Sequence, residues 1–423
     1  MTSVIPIAPT EGHIGHLTRE QTKTLQEFWI RIYDIFDGRT LCDSVLPASF
    51  KGQVSQSEDS SQVLQAPAQT PGWFGFGSSA SSSSTHSSLP SGSVTPTLQF
   101  SGEKLHKTFW KMNIMNNPDM IALKFIRARK WVVNDAVKMF LDNLKWRIIE
   151  DLDELSELSD VELDSKYPNF IDQLQSGKGY LRGADSRDRP ISIINTRLHH
   201  KTDQPPETLH RFTLYTMECG RRFLSPGKET VIVLFDLSDF GLDNMDWSFV
   251  RLFVQCFESY YPETLGTCIV HRAPYVFWGI WRLIQPLLDP AVAGKFVFTR
   301  TNAELHQVVP REHLSIEHYD GLDDWTYNYV PEVPGESHHM EDSVTKENLL
   351  QERHALELAH DHATRAWISN VDGSDSPERL AIAQQLHEQY ARLSPYIHAV
   401  NLYQRWGVAV DGQVNWNYNV QKD

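Results

Sequence analysis

The chain has 423 residues and a formal net charge of −15, from 54 acidic residues against 39 basic ones. At about 100–200 residues per domain there is room for two or three folded units, or one large unit with appendages. The acidic balance argues against generic nucleic-acid binding and against electrostatic adhesion to anionic lipid as the main membrane contact, leaving room only for local basic patches. A mean hydropathy of −0.39 argues against a polytopic membrane protein.

The opening MTSVIPIAPTEGHIGHL has no basic segment leading into an apolar run, so no signal peptide is expected. The strongly apolar run at 273–281 falls far short of the about 20 residues needed to span a bilayer. Cys42, Cys219, Cys256 and Cys268 form no C-x-x-C pair and read as small core residues in a reducing, cytoplasmic compartment.

Residues 18–36 place Leu25, Phe28, Ile32 and Phe36 at helical spacing and predict one amphipathic helix. Residues 51–100 hold 14 serines and predict a disordered linker, within which WFGFG at 73–77 reads equally as a docking motif or as a loosely packed strip. Order resumes near Gly102. DMIALKFIRARKW at 119–131 predicts a helix, and Asn134 is the expected N-cap of the next, which carries Val137, Phe140, Leu141, Leu144 and Ile148 on one face. From 190 onward β-rich runs at 191–195, 231–237, 268–271 and 296–299 alternate with helical stretches at 208–224, 246–259 and 275–288. That alternation predicts an α/β fold on a mostly parallel sheet. After Trp325 the strands are expected to stop, and 341–369 and 376–405 read as two helices.

Nothing in the sequence points to an enzyme. Asp239-Phe240-Gly241 spells a kinase triplet without the other kinase segments, and Pro226-Gly227-Lys228 lacks the remainder of a phosphate loop. His199-His200 and the His360/His362 pair lack companions at metal-ligand spacing, so no metal is expected. The stretch 275–288 is more informative. Tyr275, Val276, Phe277, Trp278, Ile280, Trp281, Leu283 and Ile284 make it hydrophobic nearly all round, which suits either a buried core helix or a lid over an apolar cavity.

These residues resemble the CRAL-TRIO family of lipid-exchange proteins. Matching pieces are FIRARKW (125–131), NLKWR (143–147), RDRPISI (187–193), VIVLFDL (231–237), YYPETLG (260–266), the run from His271 to Pro290, and GKFVF (294–298), which together cover roughly 105–325. TRLHH (196–200), the FDL…NMD segment (235–246) and the long C-terminal extension resemble the fungal phosphatidylinositol transfer proteins that move phosphatidylinositol without phosphatidylcholine.

The resemblance implies an α/β fold. A helical N-terminal subdomain precedes a mixed, mostly parallel sheet that floors a hydrophobic lipid cavity. A gate helix bearing Tyr275, Phe277, Trp278, Ile280, Trp281 and Ile284 closes the cavity, and a helical C-terminal extension follows. The expected segments are 1–50, 51–101, 102–165, 166–325 and 326–423. By the same resemblance the ligand is phosphatidylinositol, with no other cofactor, and its headgroup is met by Arg129, Glu263 and Lys295. The chemistry is coherent. A phosphodiester in a partly dry cleft needs cationic donors, and a carboxylate accepts from inositol hydroxyls.

The turn DLSDFGLDNMD and Met217 depart from the family's phosphatidylcholine site and argue against that second ligand. The segment 318–322 also departs from the family's glycine-rich pattern. The expected protein is a monomeric lipid carrier in transient contact with membranes, peripheral on endomembranes of Golgi or endosomal type, with a functional link to phosphatidylinositol kinases. The alternatives are a carrier of a neutral isoprenoid or sterol-like ligand and a lipid-sensing adaptor. Haem is a minor third, with no axial-ligand pattern to support it.

Overall fold

Helix α1 (Arg19–Phe36) starts at a capping box: the Thr18 hydroxyl accepts from the Gln21 N–H, and the Gln21 side chain accepts from the Thr18 N–H. Its buried face carries Leu25, Phe28, Ile32 and Phe36, as the spacing predicts. The computed structural model describes residues 11–39, 100–113, 117–224, 228–370, 376–410 and 413–416. All belong to one of the two units into which the chain divides, residues 1–44 with 100–423. The other unit, 45–99, lies outside the described residues, as do Cys42 and the WFGFG strip.

Helices α2 (Gly102–Met112), α3 (Pro118–Ala128) and α4 (Val133–Ile149) close around α1. Phe140 of α4 is the hub: Phe28, Phe109 and Phe125 meet it edge-on at ring distances of 5.5, 5.8 and 5.2 Å. The expected cap of α4 is corrected. Lys130 and Trp131 are both left-handed, the chain turns earlier, and Val132 takes the N-cap position without a side-chain bond. Asn134 falls inside the first turn, where its Oδ1 accepts from Arg31.

Three short helices, α5 (Glu154–Glu157), α6 (Asp160–Lys166) and α7 (Phe170–Gln175), lead into the sheet. Its strands are β1 (Gly179–Ala184), β2 (Pro190–Asn195), β3 (Val231–Asp236), β4 (Leu265–His271) and β5 (Phe296–Thr299), side by side in that order. β1 runs antiparallel to β2, and the other neighbours are parallel. The sheet is therefore mixed and mostly parallel, as expected. β1 escapes a pattern reading because Gly179, Arg182 and Gly183 break its β signature. Gly183 is required: its φ is +72°, and a Cβ there would stand 2.7 Å from the His313 carbonyl oxygen.

The crossovers are α8 (Pro206–Arg222) between β2 and β3, then α9 (Trp247–Gln255) with a π-helical turn (Cys256–Tyr260) between β3 and β4. Between β4 and β5 come α10 (Phe277–Ile284) and α11 (Pro290–Ala293). Beyond β5 lie α12 (Asn302–Leu305) and α13 (Ile316–Tyr319). Cys219, Cys256 and Cys268 are buried and free, as read from the sequence.

The tail forms a long hairpin, α14 (Ser343–Ile368) and α15 (Pro377–Ile397). It packs on the N-terminal helices. The Tyr33 hydroxyl donates to Asp361 at 2.8 Å, Arg379 pairs with Asp119 at 2.5 Å, and Trp367 and Leu386 join the core around Phe140. Two expectations are corrected here. The second helix ends at Ile397, where His398 turns extended and the Asn401 side chain starts the separate helix α16 (Leu402–Arg405). Strands also do not stop after Trp325, because β6 (Ala409–Val410) pairs antiparallel with β7 (Gln413–Val414). Two-residue strands carry too little periodicity to be read from sequence.

Burial of His360 in the hairpin is expected to make stability depend on pH. His360 is 1% exposed, and burial pushes its imidazole down to about 4. The unfolded chain takes up that proton below about pH 6.5 while the native state refuses it, so stability is lost as pH falls from about 6.5 to 4. The expected loss is about 3 kcal/mol at 1.36 kcal/mol per pH unit. Denaturant titrations at pH 7 and pH 4 measure it, and the difference between wild type and His360→Gln isolates the His360 share.

Candidate ligand-binding site

Strand β3 alternates. Ile232 and Leu234 enter the core on one face of the sheet, while Val231, Val233 and Phe235 line a cavity on the other. The cavity runs along the whole strand to Leu237, about 20 Å at about 3.3 Å per residue. That exceeds half the about 30 Å hydrocarbon thickness of a bilayer, the depth one leaflet gives an acyl chain.

Helix α8 supplies one wall through Leu209, Phe212, Thr213, Thr216, Met217 and Gly220, a helical stripe whose small members leave room. Phe249, Phe253 and Phe257, from α9 and the π turn, supply another, with Phe253 edge-on to Phe235 at 5.1 Å. The roof is α10. Phe277, Trp281 and Ile284 face the cavity, and the Trp281 ring lies 4.9 Å from Phe296 of β5.

The two readings of 275–288 resolve by face. Ile280 is buried in the cluster beneath the helix, and the half-buried Trp278 rests on Phe298 at 5.0 Å. Leu283 and Leu287 are exposed. Tyr275 does not face the cavity: it precedes the Val276 cap, in a turn where the Trp278 N–H reaches its carbonyl, and is 94% exposed.

The expected headgroup residues lie outside the apolar walls. Glu263 is left-handed, φ +57°, in the turn joining the π segment to β4. That conformation is uncommon for a residue with a Cβ. Lys295 immediately precedes the first β4–β5 pair, Cys268 with Phe296, and its carbonyl accepts from the Cys268 N–H at 2.9 Å. Both thus sit at the N-terminal edge of the parallel strands. Neither forms an ion pair among the described residues.

Arg129 caps the C-terminus of α3, and among the described residues its guanidinium makes a single long contact, 3.4 Å to the Ala128 carbonyl. Arg127, the other arginine of the motif, is committed: it donates to Glu229 at 2.5 Å and to the Gly12 carbonyl at 3.0 Å. Geometry thereby separates a structural arginine from an available one.

Two cations escape the motif reading. Lys124 on α3 donates to the Glu229 carbonyl at 2.9 Å. Burial pulls its ammonium down to about 8, opposed by Glu229 and in part by Glu263, so α3 and the Glu263 turn share one electrostatic neighbourhood. Arg221, with Tyr261 and Thr264, lines the cavity wall at this edge. Its helical spacing from Glu218 was the available signal, and Arg221 donates to that carboxylate at 2.6 Å.

Comparison with known protein sequences places this site in a family. Models of the CRAL/TRIO domain and of the CRAL/TRIO N-terminal domain match residues 174–321 and 50–142. A fission-yeast relative, CRAL-TRIO domain-containing protein C3H8.02 of Schizosaccharomyces pombe, is 36% identical over 309 residues, 72% of this chain and 69% of that protein. Phosphatidylinositol transfer protein CSR1 of Eremothecium gossypii is 30% identical, with 93% of this chain and 97% of that protein aligned. The chain belongs to the CRAL/TRIO family. Phosphatidylinositol transfer protein PDR17 of Saccharomyces cerevisiae is 25% identical over 49% of this chain and 58% of its own. The cavity, its floor and its aromatic roof thus belong to a CRAL/TRIO domain. No helix of the described residues is long and apolar enough to cross a membrane.

Proposed function

We propose that this CRAL/TRIO protein extracts phosphatidylinositol from one membrane and delivers it to another. The observation that carries the reading is the apolar cavity along β3 under an aromatic helix. The alignment along nearly the whole of a protein named for phosphatidylinositol transfer supports the choice of lipid.

Each buried methylene contributes about 0.8 kcal/mol, so two acyl chains leave a bilayer slowly unless another apolar medium receives them. The cavity is that medium, and no covalent step is required. Arg129 and Lys295 meet the phosphate, and Glu263 accepts from the inositol hydroxyls. Helix α10 swings as the gate, with exposed Tyr275, Leu283 and Leu287 entering the membrane interface. The carrier works in the cytoplasm as a monomer, touches Golgi or endosomal membranes briefly, and supplies phosphatidylinositol kinases.

Purified protein analysed by mass spectrometry is expected to carry phosphatidylinositol and to move it between vesicles. Recovery of none, with no transfer, rejects the reading. A neutral isoprenoid or sterol-like cargo is the second reading, favoured by the absence of Arg129, Glu263 and Lys295 from the cavity wall. Uncharged lipid recovered alone would decide for it.

A further inference from the structure

The end of the cavity beneath the C-terminal edge of β2 and β3 is polar. Lys178, Thr196, His199, Asn244 and Asp246 line it. Lys178 sits in the turn entering β1, where its carbonyl accepts from the Asn195 N–H at the end of β2. The lysine is 4% exposed. Its ammonium donates to Gln204 at 2.9 Å and reaches His199 Nδ1 at 3.4 Å, and no carboxylate lies within ion-pair distance of it among the described residues. An ammonium has three donors, and these contacts use two.

The acid in the cavity wall at this end is already engaged. Asp246 accepts from the Ser248 and Phe249 N–H groups at the start of α9 and stands 3.4 Å from His199 Nε2. Lys178 is therefore a buried cation at the polar end of a mostly apolar cavity, with no anion paired to it among the described residues. Such a charge is costly unless a ligand neutralises it. One ammonium calls for one negative charge, and the Asp246 carboxylate discourages a second.

We propose that Lys178 receives the ionised carboxylate of a long-chain fatty acid whose tail lies along β3 toward the gate. This rests on reading the cavity as a lipid site, and it is independent of the headgroup assignment at the opposite edge. Burial holds the free ammonium down at about 8, with Asp203 and Asp246 opposing weakly. The groups around it are His199 after β2, Asp203 and Gln204 ahead of α8, and Asn244 and Asp246 ahead of α9. As pH rises through about 8 the empty site loses its proton, and carboxylate binding weakens.

The test titrates the full-length protein with pyrene-labelled hexadecanoic acid and with the alcohol of the same chain. Wild type is expected to bind the acid at least tenfold more tightly at pH 7, with the preference shrinking at pH 9.5. Lys178→Met is expected to bind both alike, and Lys178→Arg to keep the preference. Equal binding of acid and alcohol by wild type at pH 7 overturns the proposal and needs no variant to fold, as does an acid preference that survives in Lys178→Met. Phosphatidylinositol transfer by wild type, measured alongside, separates the two readings. Transfer without acid preference leaves the proposed function standing, whereas failure to bind either probe or to transfer lipid removes the cavity reading itself.

Discussion

Glu218→Gln is expected to lower unfolding stability by about 3–5 kcal/mol, the range for breaking a buried ion pair from one side. The Glu218 carboxylate accepts from both Arg147 Nη atoms at 3.0 Å, from Arg221 at 2.6 and 3.1 Å, and from the Tyr261 hydroxyl at 2.7 Å. Arg147 and Glu218 are both deeply buried, so removing the negative charge strands a guanidinium in the core.

Burial opposes ionisation of Glu218, but the two guanidiniums override it and hold the carboxyl well below the usual range. With the native value depressed, this stabilisation is complete above about pH 4.5 and drains away as pH falls below it. Equilibrium denaturation at pH 7 measures the main loss, and the variant should lack the Glu218 share of the acid limb. A cost under about 1 kcal/mol, the scale of an exposed pair, would show that the network is not what joins α4 to α8. The network also fixes Tyr261 in the cavity wall, two residues before Glu263. Trp146 of α4 stacks on the neighbouring Tyr260 at 3.9 Å and supports the same turn.

Arg129→Ala combined with Lys295→Ala is expected to reduce phosphatidylinositol transfer a hundredfold or more while leaving stability nearly intact. Charged hydrogen bonds contribute about 1.5–3 kcal/mol each, and about 1.4 kcal/mol is tenfold in affinity. Stability is spared because neither side chain forms an ion pair among the described residues, and the one Arg129 contact is long. Arg127→Ala is the contrast: its guanidinium binds Glu229 and the Gly12 carbonyl, so its loss should lower the melting temperature. Vesicle-to-vesicle transfer with labelled lipid gives the measurement. Undiminished transfer by a folded double variant would place the headgroup elsewhere.

What could be read from the sequence was local. Phe28, Phe140 and Leu144 announce their helices by spacing, and β2 through β5 announce themselves by β-branched and aromatic runs between helical stretches. The aromatic run at 275–288 stated its composition but not its orientation. Only packing shows Phe277, Trp281 and Ile284 turned to the cavity and Tyr275 to solvent. Lys178 gave no signal at all, since a lone lysine between glycines reads as a solvated turn.

The alternation of strands and helices, the apolar character of the roof and the resemblance that named Arg129, Glu263 and Lys295 are all legible in the amino-acid string. Each of these lives in a short window or in a pattern of residue types. The tertiary structure decided the rest: which FIRAR arginine is spent on Glu229, which face of the roof looks inward, and how Glu218 gathers Arg147 from 71 residues away and Tyr261 from 43. It also set Lys178 beside His199 at the cavity's far end. The reason is physical. Periodicity fixes how a side chain points relative to its own helix or strand, whereas burial and charge pairing depend on what another segment brings across the fold.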